Sequence, residues 1–124
     1  MNTDNILDLK AFVPAKDFEL SKRFYRDLGF REKFGNEQIC ELEIGAYRFL
    51  LQNFYVKEFA ENCMMSLMVA NADAWWEHIQ KISLIEKYKL AMAKPPALQP
   101  WGLRVLYLAD PSGVLWHIAE RPIS

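Results

Sequence analysis

The chain has 124 residues, of which 52% are apolar and 25% charged, enough apolar material for one packed domain and too much for a disordered chain. Fifteen basic side chains stand against sixteen acidic ones, so the basic excess of a nucleic-acid binder is missing. No apolar run approaches the roughly 20 residues that span a bilayer, so neither nucleic acid nor membrane is expected as a partner. The opening segment MNTDNILDLK has no basic stretch followed by an apolar one, and the cytoplasm is the expected compartment. Cys40 and Cys63 lie in no metal-like spacing and are read as free thiols.

Leu7 to Val13 is apolar and short enough for a strand, which Pro14 ends by removing a donor. Asp17 is a helix cap, with Phe18, Ser21, Phe24, Tyr25 and Leu28 at helical spacing behind it and Gly29 at the stop. Three strands are predicted next, at Phe30 to Phe34, Gln38 to Ile44 and Tyr47 to Asn53, separated by Gly35-Asn36 and Gly45-Ala46. Phe54 to Cys63 reads as a connecting loop. Met64 to Val69 is a fourth short apolar strand. Asn71 and Asp73 then cap a helix over Ala74 to Ile82. Leu84 to Ala93 reads as a helix end followed by a strand near Lys89 to Ala93. The proline-rich run Pro95 to Pro100 is expected to be a loop, because proline cannot donate to a ladder. Leu103 to Ala109 and Val114 to Ala119 are strands joined by the turn Asp110-Pro111-Ser112-Gly113. The two halves repeat one order of elements, and Val13-Pro14-Ala15-Lys16-Asp17 parallels Val69-Ala70-Asn71-Ala72-Asp73, as an internal duplication would leave it.

The segments FVPAKDFELSKRFYRDLGF (residues 12–30) and YLADPSGVLWHIAE (residues 107–120) resemble the glyoxalase / bleomycin-resistance / extradiol-dioxygenase superfamily, the vicinal oxygen chelate fold. The C-terminal stretch is most similar to the bleomycin-resistance branch. The resemblance implies an α+β fold over residues 1–124. Two βαβββ modules, about 5–54 and 62–121, form curved mixed sheets around a cavity. It also implies a homodimer, and in the family's enzymes one divalent metal held by the first and last strands of each module.

The positions that the resemblance assigns to metal ligands are Lys10, Leu51 or Gln52, Met64 and His117. Lys10 has no lone pair to give at neutral pH, and a thioether is a poor ligand for hard metals. One position of the set keeps a strong donor, so no metal and no other cofactor is expected. His117 is then either a hydrogen-bonded wall residue or a ligand contact or general base. His78 reads as part of a solvated helix face.

If Asp110 to Gly113 is a four-residue hairpin turn, Leu106 faces His117, Arg104 faces Ala119 and Leu108 faces Leu115. This places Arg104, Leu106 and His117 on the cavity face, and Val105, Tyr107, Trp116 and Ile118 under the helices. The resemblance adds Lys10, Phe12, Phe49, Leu51, Met64 and Met68 to the walls, with Trp101 as a lid. Aromatic residues at such spots serve more often as core than as binding groups. Arg104 needs an anionic ligand or an internal partner such as Glu43. Of the adjacent Trp75 and Trp76, one is expected on the sheet and the other at a subunit interface or on a wide apolar face.

The function that follows is metal-free binding and sequestration of a planar, weakly acidic small molecule, as in the bleomycin-resistance proteins. The alternatives are a lyase or dioxygenase-like enzyme with an atypical site at His117, and a structural dimer with a filled cavity.

Overall fold

The computed structural model describes residues 2–122. β1 (Phe12–Pro14), α1 (Phe18–Leu28), β2 (Arg31–Gly35), β3 (Ile39–Ile44) and β4 (Tyr47–Gln52) form the first module. After α2 (Lys57–Asn62), the second module comprises β5 (Met64–Val69), α3 (Ala72–Lys81), α4 (Leu84–Tyr88), β6 (Ala93–Leu98), β7 (Arg104–Ala109) and β8 (Leu115–Glu120). The sheets have equivalent orders, β1-β4-β3-β2 and β5-β8-β7-β6. In each, the first strand runs parallel to the last and the other pairs are antiparallel. The fold is therefore α+β and built of two βαβββ modules.

Local signals place the helices. The Asp17 carboxylate accepts from the Leu20 amide at 3.1 Å, and Gly29 at φ +134° closes α1 with its N–H on the carbonyls of Tyr25 and Arg26. Asn71 caps α3 in the same way through the Ala74 amide, at 3.0 Å. α4 lies between Ser83 and Lys89, both in the left-handed region at φ +52° and +50°. Lys89 is exposed, so Lys89→Gly is expected to stabilise the fold by about 0.5–1 kcal/mol, seen as a higher melting temperature.

The structure departs from the sequence reading at four places. The first strand is only Phe12–Pro14; residues 6–11 run outside the sheet, with Leu7 and Leu9 97% and 91% exposed. α2 lies within the expected loop; it buries Ala60 alone, so it has no apolar period to betray it. α4 likewise replaces part of an expected helix end. β6 passes through Pro95 and Pro96, where a loop was expected. It is an edge strand with a register shift between Lys94 and Ala97, so the missing proline donors cost no ladder bond on its outer side.

One core joins the modules. Tyr25, Phe30 and Phe49 of the first module meet Trp116 of the second with ring centroids 5.5–5.8 Å apart, mostly edge to face. A buried polar chain crosses the same seam. Tyr25 Oη donates to Asp110 Oδ2 at 2.6 Å and accepts from Trp116 Nε1 at 2.9 Å. Asp110 Oδ1 accepts the amides of Ser112 and Val114, both at 2.9 Å, and Ser112 Oγ accepts the Lys16 amide at 2.9 Å. Burial pushes the Asp110 carboxyl up to about 6 and the Tyr25 phenol well above its usual value. Both cysteines are free, and burial raises the Cys40 thiol to about 11, an unreactive state.

Candidate functional site

The β7–β8 hairpin decides which side chains face out of the second sheet. Asp110 and Gly113 close a turn by the Gly113 N–H on the Asp110 carbonyl at 3.0 Å, and Gly113 itself sits at φ +94°. The Asp110 N–H then bonds the Val114 carbonyl at 2.8 Å. This is a three-residue loop with a glycine bulge, so pairing is one residue out from the sequence expectation. Tyr107 faces His117, Val105 faces Ala119, and Ala109 faces Leu115; Leu106 faces Ile118 and Leu108 faces Trp116. The Leu106, Leu108, Trp116 and Ile118 side chains form the buried face. β5 extends the opposite face, where Met64, Ser66 and Met68 stand beside Leu115, His117 and Ala119.

The open face of the second sheet is thus built from thioethers, a serine and two rings. Met64 is 63% exposed. The Tyr107 and His117 rings pack edge to face, centroids 4.8 Å apart. His117 Nε2 is buried and has no hydrogen-bond partner among the described residues. An unsatisfied buried nitrogen costs about 1–3 kcal/mol, a cost that a ligand's polar group placed there would relieve.

Alternation sorts the first sheet in the same way. Val13, Cys40, Leu42, Phe49 and Leu51 face the core; Phe12, Glu41, Glu43, Arg48, Leu50 and Gln52 face outward. Across that outer face runs a ladder of ion pairs. Lys10 bonds Glu41 and Asp8, Arg48 reaches Asp8 at 3.1 Å and Glu43 at 3.2 Å, and Arg31 bonds Glu43 at 2.5 Å. The hydrogen bond to Glu41 raises the Lys10 ammonium, and the one from Arg31 holds Glu43 below the usual carboxylate range.

These placements correct several expected site residues. Phe49, Leu51 and Leu106 belong to the core, because register turns them inward; Phe49 also borders a space of about 110 Å³ together with Ser66 and Trp116. Arg104 lies toward the helices, where its Nη2 donates to Asp73 Oδ1 of α3 at 2.7 Å; its partner is neither Glu43 nor a ligand. Lys10 is neutralised by Glu41 and Asp8. With both of these cations paired, neither calls for an anionic ligand. Trp101 projects into solvent at 59% exposure from the β6–β7 connection. Phe12, Met64 and His117 remain on open faces, the first on one sheet and the other two on the second. Tyr107, expected under the helices, stands on the open face; the turn type carries the signal, because an Asp-Pro-Ser-Gly type I turn ending in a left-handed glycine favours a bulged three-residue loop. His78, expected in solvent, is half-buried with Nε2 3.2 Å from the carbonyls of Asp27 and Leu28. Trp75 and Trp76 both pack partly against the core. Arg104→Ala removes only an exposed pair, so it is expected to leave the midpoint of chemical unfolding nearly unchanged.

The donors do not suit the divalent metal of the family's enzymes. Among the described residues no three His, Cys, Asp or Glu side chains converge on one point. At the positions implied for ligands stand an ion-paired ammonium, a thioether, and a core leucine or its neighbour Gln52; His117 alone is a strong donor. Other concavities lie elsewhere. A groove of about 750 Å³ at the start of α1 is lined by polar residues such as Lys16, Glu37 and Asn53. An apolar one of about 310 Å³ lies between Leu28, Ile44 and Trp75. Beside the open face, Tyr47, Ser66, Leu67 and Met68 border a cleft of about 250 Å³. No described helix is long and apolar enough to cross a membrane.

This arrangement of paired sheets is the glyoxalase/bleomycin-resistance fold. A bleomycin-binding protein in complex with bleomycin superposes with a TM-score of 0.79 at 20% identity, over 94% of this chain and 100% of the other. A bleomycin-binding protein from Streptomyces verticillus, in complex with copper(II)-bleomycin, gives 0.77 at 22% identity over 94% and 99%. A lactoylglutathione lyase from Agrobacterium tumefaciens gives 0.66 at 16% identity over 92% of each chain. No family model and no curated protein sequence matches the chain.

Proposed function

We propose that the chain is a metal-free small-molecule-binding protein of the glyoxalase/bleomycin-resistance superfamily that works in the cytoplasm as a homodimer and sequesters a neutral, planar organic compound. The observation that carries this reading is the unpartnered His117 Nε2, set beside Tyr107 on an open face walled by Met64, Ser66 and Met68. Thioethers and an aromatic edge suit a flat ring, and the imidazole supplies one polar anchor. Lys94 of the edge strand β6 shares that face through its pairing with Tyr107, but the ladder neighbours of His117 itself, Tyr107 and Ser66, carry no charge. The first sheet's outer face interleaves Lys10, Arg31 and Arg48 with Asp8, Glu41 and Glu43, so it is not an acidic cleft for a cationic glycopeptide.

Dimerisation is supported by the two open sheet faces and by the exposed Ile6, Leu7, Leu9, Phe12, Met64 and Met68, more large apolar side chains than a monomer ordinarily leaves in water. A mass of twice the chain by light scattering is expected at micromolar concentration; a monomer would contradict the dimer.

Binding is tested with a melting screen of neutral bicyclic aromatics bearing one hydroxyl or carbonyl, with aromatic carboxylates and bleomycin alongside. A neutral aromatic is expected to raise the melting temperature, and His117→Ala to weaken its binding about tenfold, the worth of one hydrogen bond. The reading fails if the neutral compounds give no shift, if bleomycin or a carboxylate binds more tightly, or if His117→Ala leaves affinity unchanged.

A further inference from the structure

Across the strands of the second sheet's open face, ladder partners line up in rows. Lys94 of β6 pairs with Tyr107 of β7, Tyr107 with His117 of β8, and His117 with Ser66 of β5. Ladder partners point to the same face, so an ammonium, a phenol, an imidazole and a hydroxyl stand in one line, one from each strand. The rows on either side differ. Met64, Leu115 and Ala109 border the line on one side, Met68, Ala119 and Val105 on the other, and none of the six has a polar side chain. The face therefore carries a polar stripe with apolar margins.

The stripe also lacks the pairing seen on the first sheet. There Lys10, Arg31 and Arg48 are each bound to a carboxylate. Lys94 is exposed and in no ion pair among the described residues, Ser66 is exposed, and His117 Nε2 is without a partner. Adjacent strands lie about 4.8 Å apart, so Lys94 and His117 stand about 10 Å from each other along the stripe. Between them the Tyr107 ring, packed edge to face on His117 at 4.8 Å, supplies an aromatic floor.

We propose that the ligand of this site is an elongated planar molecule laid across the strands, with a hydroxyl at His117 and a carbonyl oxygen held by Lys94, and that Lys94 selects it. This rests on the binding reading above and adds the second polar group and its position. Lys94 serves as a hydrogen-bond donor to a neutral oxygen. An ion pair with an ammonium open to water is worth little, and a carboxylate would give up hydration beside the apolar margins. A carbonyl sheds its water at less cost and still takes a charge-assisted hydrogen bond.

The test compares 2-naphthol with 6-acetyl-2-naphthol, whose hydroxyl and carbonyl lie about two strand spacings apart, by titration calorimetry on the full chain near neutrality. The acetyl compound is expected to bind wild type about fivefold more tightly. In Lys94→Met that ratio should fall to about one, and in Lys94→Arg, which keeps a charged donor, it should return. His117→Ala should weaken both probes and preserve the ratio. Binding of neither naphthol, or tighter binding of 6-hydroxy-2-naphthoate, would sink this proposal together with the reading it rests on. A ratio near one in wild type, or a ratio that persists in Lys94→Met, would overturn the role of Lys94 alone and leave the site at His117 standing.

Discussion

Replacing Asp110 by alanine is expected to lower the unfolding free energy by about 3–5 kcal/mol and the melting temperature by about 10–15 °C. The substitution strands the Tyr25 hydroxyl and the amides of Ser112 and Val114, all in the core, at about 1–3 kcal/mol for each lost partner. Release of the buried charge offsets part of that sum. Asparagine keeps an acceptor for the two amides, so Asp110→Asn should cost about 1 kcal/mol near neutrality. Chemical unfolding of both variants checks the order; equal losses would show that the alanine effect is not one of stranded donors.

The pH dependence of the same pair has a definite sign. The folded-state carboxyl is raised to about 6, above its unfolded value, so the folded chain binds the proton more tightly. The resulting stabilisation is complete below about pH 4 and is lost as pH rises through about 6. Wild type should therefore gain on Asp110→Asn by on the order of 3 kcal/mol between about pH 7 and about pH 4. Asp8 and Glu43 are shifted the opposite way and lose stability on acidification, but both proteins share them and the difference isolates Asp110. A gap between the unfolding midpoints that does not change with pH would refute the assignment.

The second large effect separates the two faces of the first sheet. Phe49 is 2% exposed and packs on Tyr25, Phe30 and Trp116, so Phe49→Ala should cost about 3–5 kcal/mol through the cavity it leaves. Phe12 stands 48% exposed on the outer face, and Phe12→Ala should cost less than about 1 kcal/mol while weakening dimerisation or ligand binding. Comparable losses in the two variants would mean that the assigned register is wrong.

What the sequence determined by itself is what short-range chemistry encodes. Asp17 and Gly29 bracket α1 because a cap bonds an amide three residues on and a glycine accepts a left-handed φ, both within one turn. The order strand, helix, then two or three strands was legible in both halves, as was the turn at Asp110, since each depends on neighbours along the chain; the strand expected near Lys89 to Ala93 lies at Ala93–Leu98 instead. α2 escaped because a six-residue helix burying only Ala60 has no period to read.

Tertiary structure alone decided which way the strand residues face and what the charges meet. One bulged residue at Gly113 moved Tyr107 onto the open face and Leu106 into the core, because a period-two pattern inverts with a single step of register. Pro95 and Pro96 entered a strand because β6 has a neighbour on one side only. Arg104 found Asp73, 31 residues away in sequence, and Lys10 found Glu41 by the same kind of long-range approach. A charge takes the nearest opposite charge in space, and that distance exists only once the chain has folded.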